Sequence, residues 1–176
     1  AYAISYESNG GSPVAPSSAR RDGLLAEPAD PVRNGLVFGG WCKDEALTIP
    51  WNFAIDRMPA EELVLYAKWL KDYSGSYTIR SKNSSLVMDV YGGGLEQGTN
   101  IIQWRFNDGD NQKWTLESLG RGYYKISSVL NPRFSLDVYG GGAEVGNRVI
   151  QWPWHGGTNQ QWKLLANDDG TVSFRS

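Results

Sequence analysis

The sequence predicts a mainly β chain in two parts, the second of them duplicated, and three observations carry that reading. Glycine, tryptophan and tyrosine are abundant at 21, 8 and 9 of 176 residues, the composition of short aromatic strands joined by tight turns. Apolar and polar residues alternate over short stretches from the start, as in Ala3-Ile4-Ser5-Tyr6. Finally, the hexapeptide Asp89-Val90-Tyr91-Gly92-Gly93-Gly94 returns unchanged as Asp137-Val138-Tyr139-Gly140-Gly141-Gly142.

The first part opens with a strand over Ala3–Ser8, a turn at Asn9-Gly10-Gly11 and a stretch rich in Pro and Ser. Two further strand-like runs follow, Arg33-Asn34-Gly35-Leu36-Val37-Phe38-Gly39-Gly40-Trp41 and Leu63-Val64-Leu65-Tyr66-Ala67-Lys68-Trp69. The Asn-Gly-Gly turn, the Phe-x-Gly-Trp and the closing Leu-Tyr-Ala-x-Trp resemble the Listeria–Bacteroides repeat, or internalin B-repeat, over residues 1–70. The resemblance implies a small β-grasp-like module of bacterial surface proteins, bounded at 1–72. Trp41, Trp51 and Trp69 suit its core, with Cys42 a small buried residue, and Lys71-Asp72-Tyr73-Ser74-Gly75 reads as a short linker.

The second part, residues 73–176, is a tandem duplication with an offset of 48 residues; from Asp89 to Trp114, 15 of 26 positions equal their partners. Ile102-Gln103-Trp104 returns as Ile150-Gln151-Trp152, and Asn111-Gln112-Lys113-Trp114 as Asn159-Gln160-Gln161-Trp162. Each copy opens with a strand, Tyr77–Ser81 and Tyr124–Ser128, and Val172–Ser176 repeats that opening. Two full units and the first strand of a third suit a closed symmetric β architecture better than a stacked solenoid. The run from Leu86-Val87-Met88-Asp89-Val90 through Gly98 and Gln103-Trp104 to Asn111-Gln112-x-Trp114 resembles the ricin B-type lectin repeat with its Gln-x-Trp signature. That resemblance implies a β-trefoil-type lectin domain, here with two complete repeats plus the first strand of a third.

A neutral sugar offers C–H faces to an aromatic ring and adjacent hydroxyls to a carboxylate or an amide. Carried over residue by residue, the resemblance assigns sugar binding to Asp89, Trp104, Asn107 and Asn111 in the first unit. The second unit matches with Asp137, Trp152, His155 and Asn159, while Gln112 and Gln160 are expected to brace the aspartates. Trp114 and Trp162 are expected in the core, whereas Trp104 and Trp152 are read as ligand platforms although a core role is open to them. Asp89 and Asp137 could instead cap turns, but their shared spacing to a tryptophan argues for the site. The Gly triplets read as turn chemistry alone. The chain departs from the family pattern at Ile102 and Ile150, where many relatives carry Gln, and Gln103 and Gln151 stand next door. Trp154 has Phe106 as its twin and either widens the second platform or fills the core.

Several function classes are excluded or disfavoured. Residues 1–72 hold 7 basic and 10 acidic residues and residues 73–176 hold 10 and 9, so no basic stripe exists for nucleic acid or for an anionic membrane surface. No apolar run approaches a membrane span, so membrane insertion is not expected. A single cysteine and a single histidine leave no disulfide framework or His/Cys metal cluster, and no cofactor is expected. Glycoside hydrolysis would need paired carboxylates such as Asp89 with Glu96 or Asp137 with Glu144; tandem repetition suits weak binding better than catalysis. The expected function is a non-catalytic, extracellular or cell-surface carbohydrate-binding fragment with self-association through its incomplete trefoil. The alternatives are a structural or adhesion spacer with degenerate sites and the binding module of a glycoside hydrolase.

Overall fold

Strand β1 (Tyr2–Glu7) runs parallel to β4 (Leu63–Lys71) at the centre of the first sheet, flanked by β2 (Ser17–Ala19) beside β1 and β3 (Leu36–Cys42) beside β4. The computed structural model describes residues 1–176 as two units, Ala1–Asp72 and Tyr73–Ser176. In the first unit Ile4, Phe38, Trp41 and Leu65 from the sheet meet Leu25, Trp51 and Met58 from the connections. Trp69 packs against this core and donates its Nε1–H to Ser8 O at 2.9 Å, which ties the turn after β1 to the last strand. That turn needs a left-handed backbone, supplied by Asn9 at φ 49° and Gly10 at φ 83°. Strand β2 lies inside the Pro/Ser-rich stretch, where the sequence pattern predicted none; three residues paired only to β1 are too few to show a period.

The expected linker is absorbed at both ends. Lys71 closes β4, Tyr73 packs on the second unit's core with its N–H on the Tyr124 hydroxyl at 2.9 Å, and Gly75 starts the next strand.

In the second unit the first copy supplies β5 (Gly75–Tyr77), β6 (Val87–Val90), β7 (Ile101–Trp104) and β8 (Trp114–Gly120). The second copy supplies β9 (Tyr123–Ser128), β10 (Phe134–Val138), β11 (Val149–Pro153) and β12 (Trp162–Ala166), followed by β13 (Val172–Arg175). First and fourth strands pair within a copy (β5 with β8, β9 with β12) and between successive copies (β8 with β9, β12 with β13). Second and third strands make hairpins, β6–β7 and β10–β11. This is the division of labour that the trefoil resemblance implies. Val90, Trp114, Leu116, Tyr124, Ile126, Leu136, Trp162 and Leu164 fill the centre. The two Gln-x-Trp tryptophans are buried and pin the hairpins to it, Trp114 Nε1 on Met88 O at 3.1 Å and Trp162 Nε1 on Leu136 O at 3.0 Å.

The opening strand of the first copy is shorter than expected. β5 ends at Tyr77, and of the expected strand beyond it only Arg80 makes a bridge, to Val87. β9 lies between β8 and β12, whereas β5 pairs with β8 alone. β13 forms at Val172–Arg175 and likewise has one neighbour, β12.

Candidate functional site

The second and third strands of each copy place an aspartate opposite an isoleucine, Asp89 across from Ile102 and Asp137 across from Ile150. Both carboxylates are almost wholly buried, which is costly unless donors meet them. The donors come from a one-turn 3-10 helix ahead of the fourth strand, Asp110–Gln112 in the first copy and Thr158–Gln160 in the second. Asp89 Oδ2 accepts from Asn111 Nδ2 at 2.8 Å and Gln112 Nε2 at 2.7 Å; Asp137 Oδ2 accepts from Asn159 Nδ2 at 3.0 Å.

Gln112 and Gln160 are fully buried, and Gln112 braces Asp89 directly. Their work is internal. Gln112 also donates to Arg105 O at 2.8 Å and accepts the Asn107 N–H at 2.8 Å; Gln160 donates to Pro153 O at 2.9 Å and accepts the His155 N–H at 2.8 Å. Each glutamine therefore fixes the loop that follows Trp104 or Trp152.

Asn107 and His155 play one local role with different chemistry. Asn107 Oδ1 accepts the Gly109 N–H at 2.8 Å, and His155 Nδ1 accepts the Gly157 N–H at 3.1 Å. With Nδ1 accepting, the imidazole proton is assigned to Nε2, which faces Asp137 Oδ2 at 3.7 Å. Burial pushes the Asp137 carboxyl above the usual carboxylate range, although Gln160, Asn159 and His155 draw it partly back.

Around Asp137 the predicted residues converge. A cavity of about 450 Å³ is lined by Asp137, Trp152, His155 and Asn159, together with Tyr139, Gly140, Gly141 and Ile150. The sequence reading missed Tyr139 and took the Gly triplet for turn chemistry only. The triplet forms a tight turn in which Gly140 and Gly141, at φ 62° and 65°, also make part of the cavity wall. A Cβ at Gly141 would make only ordinary contact with Asn159 at 3.8 Å, so glycine serves there through its positive φ. The signal was present in the unbroken hexapeptide repeat, since a turn alone does not require the tyrosine. Arg148 lies over the Tyr139 ring at 4.3 Å and holds it.

The first copy keeps the Asp89–Asn111–Gln112 brace, but Trp104 is 57% exposed while Trp152 is half-buried. Ile150 forms part of the cavity wall, and Gln151 turns away from it to the carbonyls of Gly94 and Glu96 at 2.8 and 2.9 Å. In the second copy the glutamine beside the isoleucine is thus engaged inside the unit. Trp154 neither fills the core nor lines the cavity; it is half-buried with Lys125 over its ring at 5.5 Å, as Arg80 lies over exposed Phe106 at 5.6 Å.

Comparison with known proteins places both parts. Residues 65–152 and 110–176 match the ricin-type beta-trefoil lectin domain-like family, and residues 2–68 match the Listeria-Bacteroides repeat domain. A putative membrane protein of Evansella cellulosilytica is 31% identical over 126 residues, covering 66% of this chain and 19% of the relative. Internalin H of Listeria monocytogenes is 37% identical over 60 residues, or 34% of this chain and 11% of that protein. The chain thus spans less than a fifth of the length of these relatives. Among solved structures, the designed threefold-symmetric protein ThreeFoil matches with a TM-score of 0.55 at 36% identity, over 56% of this chain and 70% of its own. An exo-β-1,3-galactanase from Clostridium thermocellum matches with a TM-score of 0.53 at 34% identity, over 68% of this chain and 26% of its own.

Proposed function

The chain belongs to the ricin-type β-trefoil lectin domain-like family through residues 65–176, and from that premise we propose that it binds neutral carbohydrate without transforming it. The observation that carries the reading is the Asp137 cavity, in which an aromatic wall of Trp152 and Tyr139 stands beside a braced carboxylate and an amide. A pyranose C–H face packs on Trp152, and the free lone pairs of Asp137 accept from two adjacent hydroxyls. Asn159 donates to Asp137 and offers its carbonyl oxygen to a third hydroxyl. His155 presents Nε2–H at the rim. Asp89, Trp104, Asn107 and Asn111 make the corresponding set in the first copy, with Asn107 at the His155 position.

Binding rather than hydrolysis is supported by the carboxylates. Asp137 is the one Asp or Glu lining the cavity, whereas glycoside cleavage uses two carboxyl groups on either side of the bond. The first unit carries no comparable cluster of polar groups around an exposed aromatic, and its role is presentation of the lectin unit outside the cell or on its surface. Glycan-array profiling of the 176-residue chain tests the reading, with β-1,3-galactan among the probes because a galactanase carries a similar segment. Binding that disappears with Asp89→Ala and Asp137→Ala together supports it. An array without any bound glycan refutes it.

A further inference from the structure

The pairing of β10 with β11 runs one residue past the end of β11, since the Trp154 N–H meets Arg133 O at 3.3 Å. That bond continues the register in which Ser135 faces Trp152 and Phe134 faces Pro153. Side chains alternate along a strand, so Trp154 and Arg133 stand on the same face of the hairpin as Trp152, about 7 Å further on. The Asp137 cavity is lined by Trp152 and His155 but not by Trp154. A second indole therefore lies next to the cavity, outside its wall.

The Trp154 ring is held from one side. It is half-buried, with the Lys125 ammonium 5.5 Å from its centre. Lys125 also has the Glu117 carboxylate at 3.5 Å, so its charge is met without the indole. The first copy makes the same contact with exposed Phe106, which lies under Arg80 at 5.6 Å. Neither cation is the repeat partner of the other, because Ser128 stands 48 residues after Arg80. Both copies thus hold an aromatic two residues beyond Trp104 or Trp152, and they do so with cations that do not correspond.

The second copy carries more at this place than the first. Exposed Arg133, directly across from Trp154, has Ser85 as its twin, so a guanidinium with several N–H donors replaces a single hydroxyl. The surroundings are built inside the sheet. Lys125 lies on β9, which has β8, β10 and β12 as neighbours, and Arg133 immediately precedes β10, which has β9 and β11.

We propose that Trp154 and Arg133 form a second saccharide subsite continuous with the Asp137 cavity, so that the second copy recognises a chain of at least two pyranose residues. The first pyranose occupies the cavity against Trp152. The next lays a C–H face on the open side of Trp154, and Arg133 donates to its hydroxyls. Lys125, itself held by Glu117, fixes the indole before the ligand arrives, which lowers the ordering cost of binding. The subsite presupposes the carbohydrate reading of the cavity and adds chain length to it.

Calorimetric titration of the full chain carrying Trp104→Ala, which silences the first copy, tests the subsite. Glucose, galactose, mannose and xylose are each offered as the monosaccharide and as its β-linked disaccharides. For a sugar that binds, the disaccharide is expected to bind about tenfold tighter than the monosaccharide, the worth of one aromatic face. Trp154→Ala should erase that difference and leave the monosaccharide affinity unchanged. Arg133→Ala, at an exposed position, should weaken the disaccharide severalfold without touching the monosaccharide, and it serves as the test if loss of the indole disturbs folding. Equal affinities for one and two sugar residues in the parent, equal losses on both probes in Trp154→Ala, or an unchanged disaccharide affinity in Arg133→Ala would each overturn the subsite and leave the cavity reading intact. No binding of any probe would overturn the carbohydrate reading, and the subsite with it.

Discussion

Replacing Asp137 with alanine separates the aspartate's structural work from its work on a ligand. The carboxylate is 3% exposed and accepts Asn159 Nδ2 at 3.0 Å, so its removal costs a charge-assisted hydrogen bond. Two circumstances soften that cost. Asn159 Nδ2 keeps a second acceptor in Val138 O at 3.3 Å, and Gln160 Nε2 keeps Pro153 O at 2.9 Å. Burial also already disfavours the charged carboxylate, as the raised pKa records, and deletion relieves that penalty. A hydrogen bond to a charged group contributes about 1.5–3 kcal/mol, so with the relief we expect a net loss of about 1–2 kcal/mol of stability. In a unit of this size that lowers Tm by roughly 4–15 °C. Binding should suffer more. Two sugar hydroxyls lose a charged acceptor, and at 1.4 kcal/mol per decade the affinity falls about a hundredfold. The assay pairs thermal melts with calorimetric titration of an array-identified glycan, in a Trp104→Ala background that silences the first copy. If Asp137→Ala binds as tightly as its parent, the carboxylate has only a bracing role and the site assignment is wrong.

Three further outcomes are expected. Acid should act on Asp137 in opposite senses: its folded pKa lies above its unfolded one, so the folded state binds more protons between the two values. This group's stability contribution is therefore present below the unfolded pKa and lost as pH rises through the folded one. Sugar affinity at the second copy instead weakens as pH falls, beginning above the ordinary value of 3.8, and affinity measured across that range by titration checks it. Trp114→Ala should cost about 3–5 kcal/mol in urea melts because its ring is buried. Trp104→Ala should cost less than about 1 kcal/mol because its ring is exposed, while still reducing sugar binding. Gly11→Ala should destabilise the first unit by about 1–3 kcal/mol, since a methyl there meets Trp69 Cζ2 at 2.4 Å and that ring is fixed by Phe38 and Ser8; denaturant titration followed by tryptophan fluorescence reads it.

Much of the second unit was legible because duplication compares the chain with itself. A residue type kept at two positions 48 apart marks an environment kept twice, which located the buried aspartates Asp89 and Asp137, and the core tryptophans Trp114 and Trp162. What escaped depends on neighbours outside the local pattern. β5 stops at Tyr77, although its sequence reads like that of β9. Gln103 and Gln151 look equivalent in sequence, yet one is exposed and one buried, because only one has a loop to grip. Tyr139 was hidden by the company it keeps, since a tyrosine before three glycines reads as turn until the turn is seen to wall a cavity. In the first unit, β2 and the absorbed linker were unreadable for a simpler reason: three-residue pairings leave no periodic trace.

The parallel pairing of β1 with β4 has a mechanical consequence. Ile4, Ser5, Tyr6 and Glu7 lie against Leu63, Val64, Leu65 and Tyr66, so the first and last strands of the unit are adjacent and point the same way. Tension applied between Ala1 and Asp72 drags these two strands in opposite directions along their length. Their shared hydrogen bonds then bear the load together, in shear, instead of opening one after another as in a pulled hairpin. Resistance to such a pull is set by the barrier to that first slip and not by equilibrium stability. A module of modest thermodynamic stability with this strand order can therefore hold firm as a link in a chain under tension.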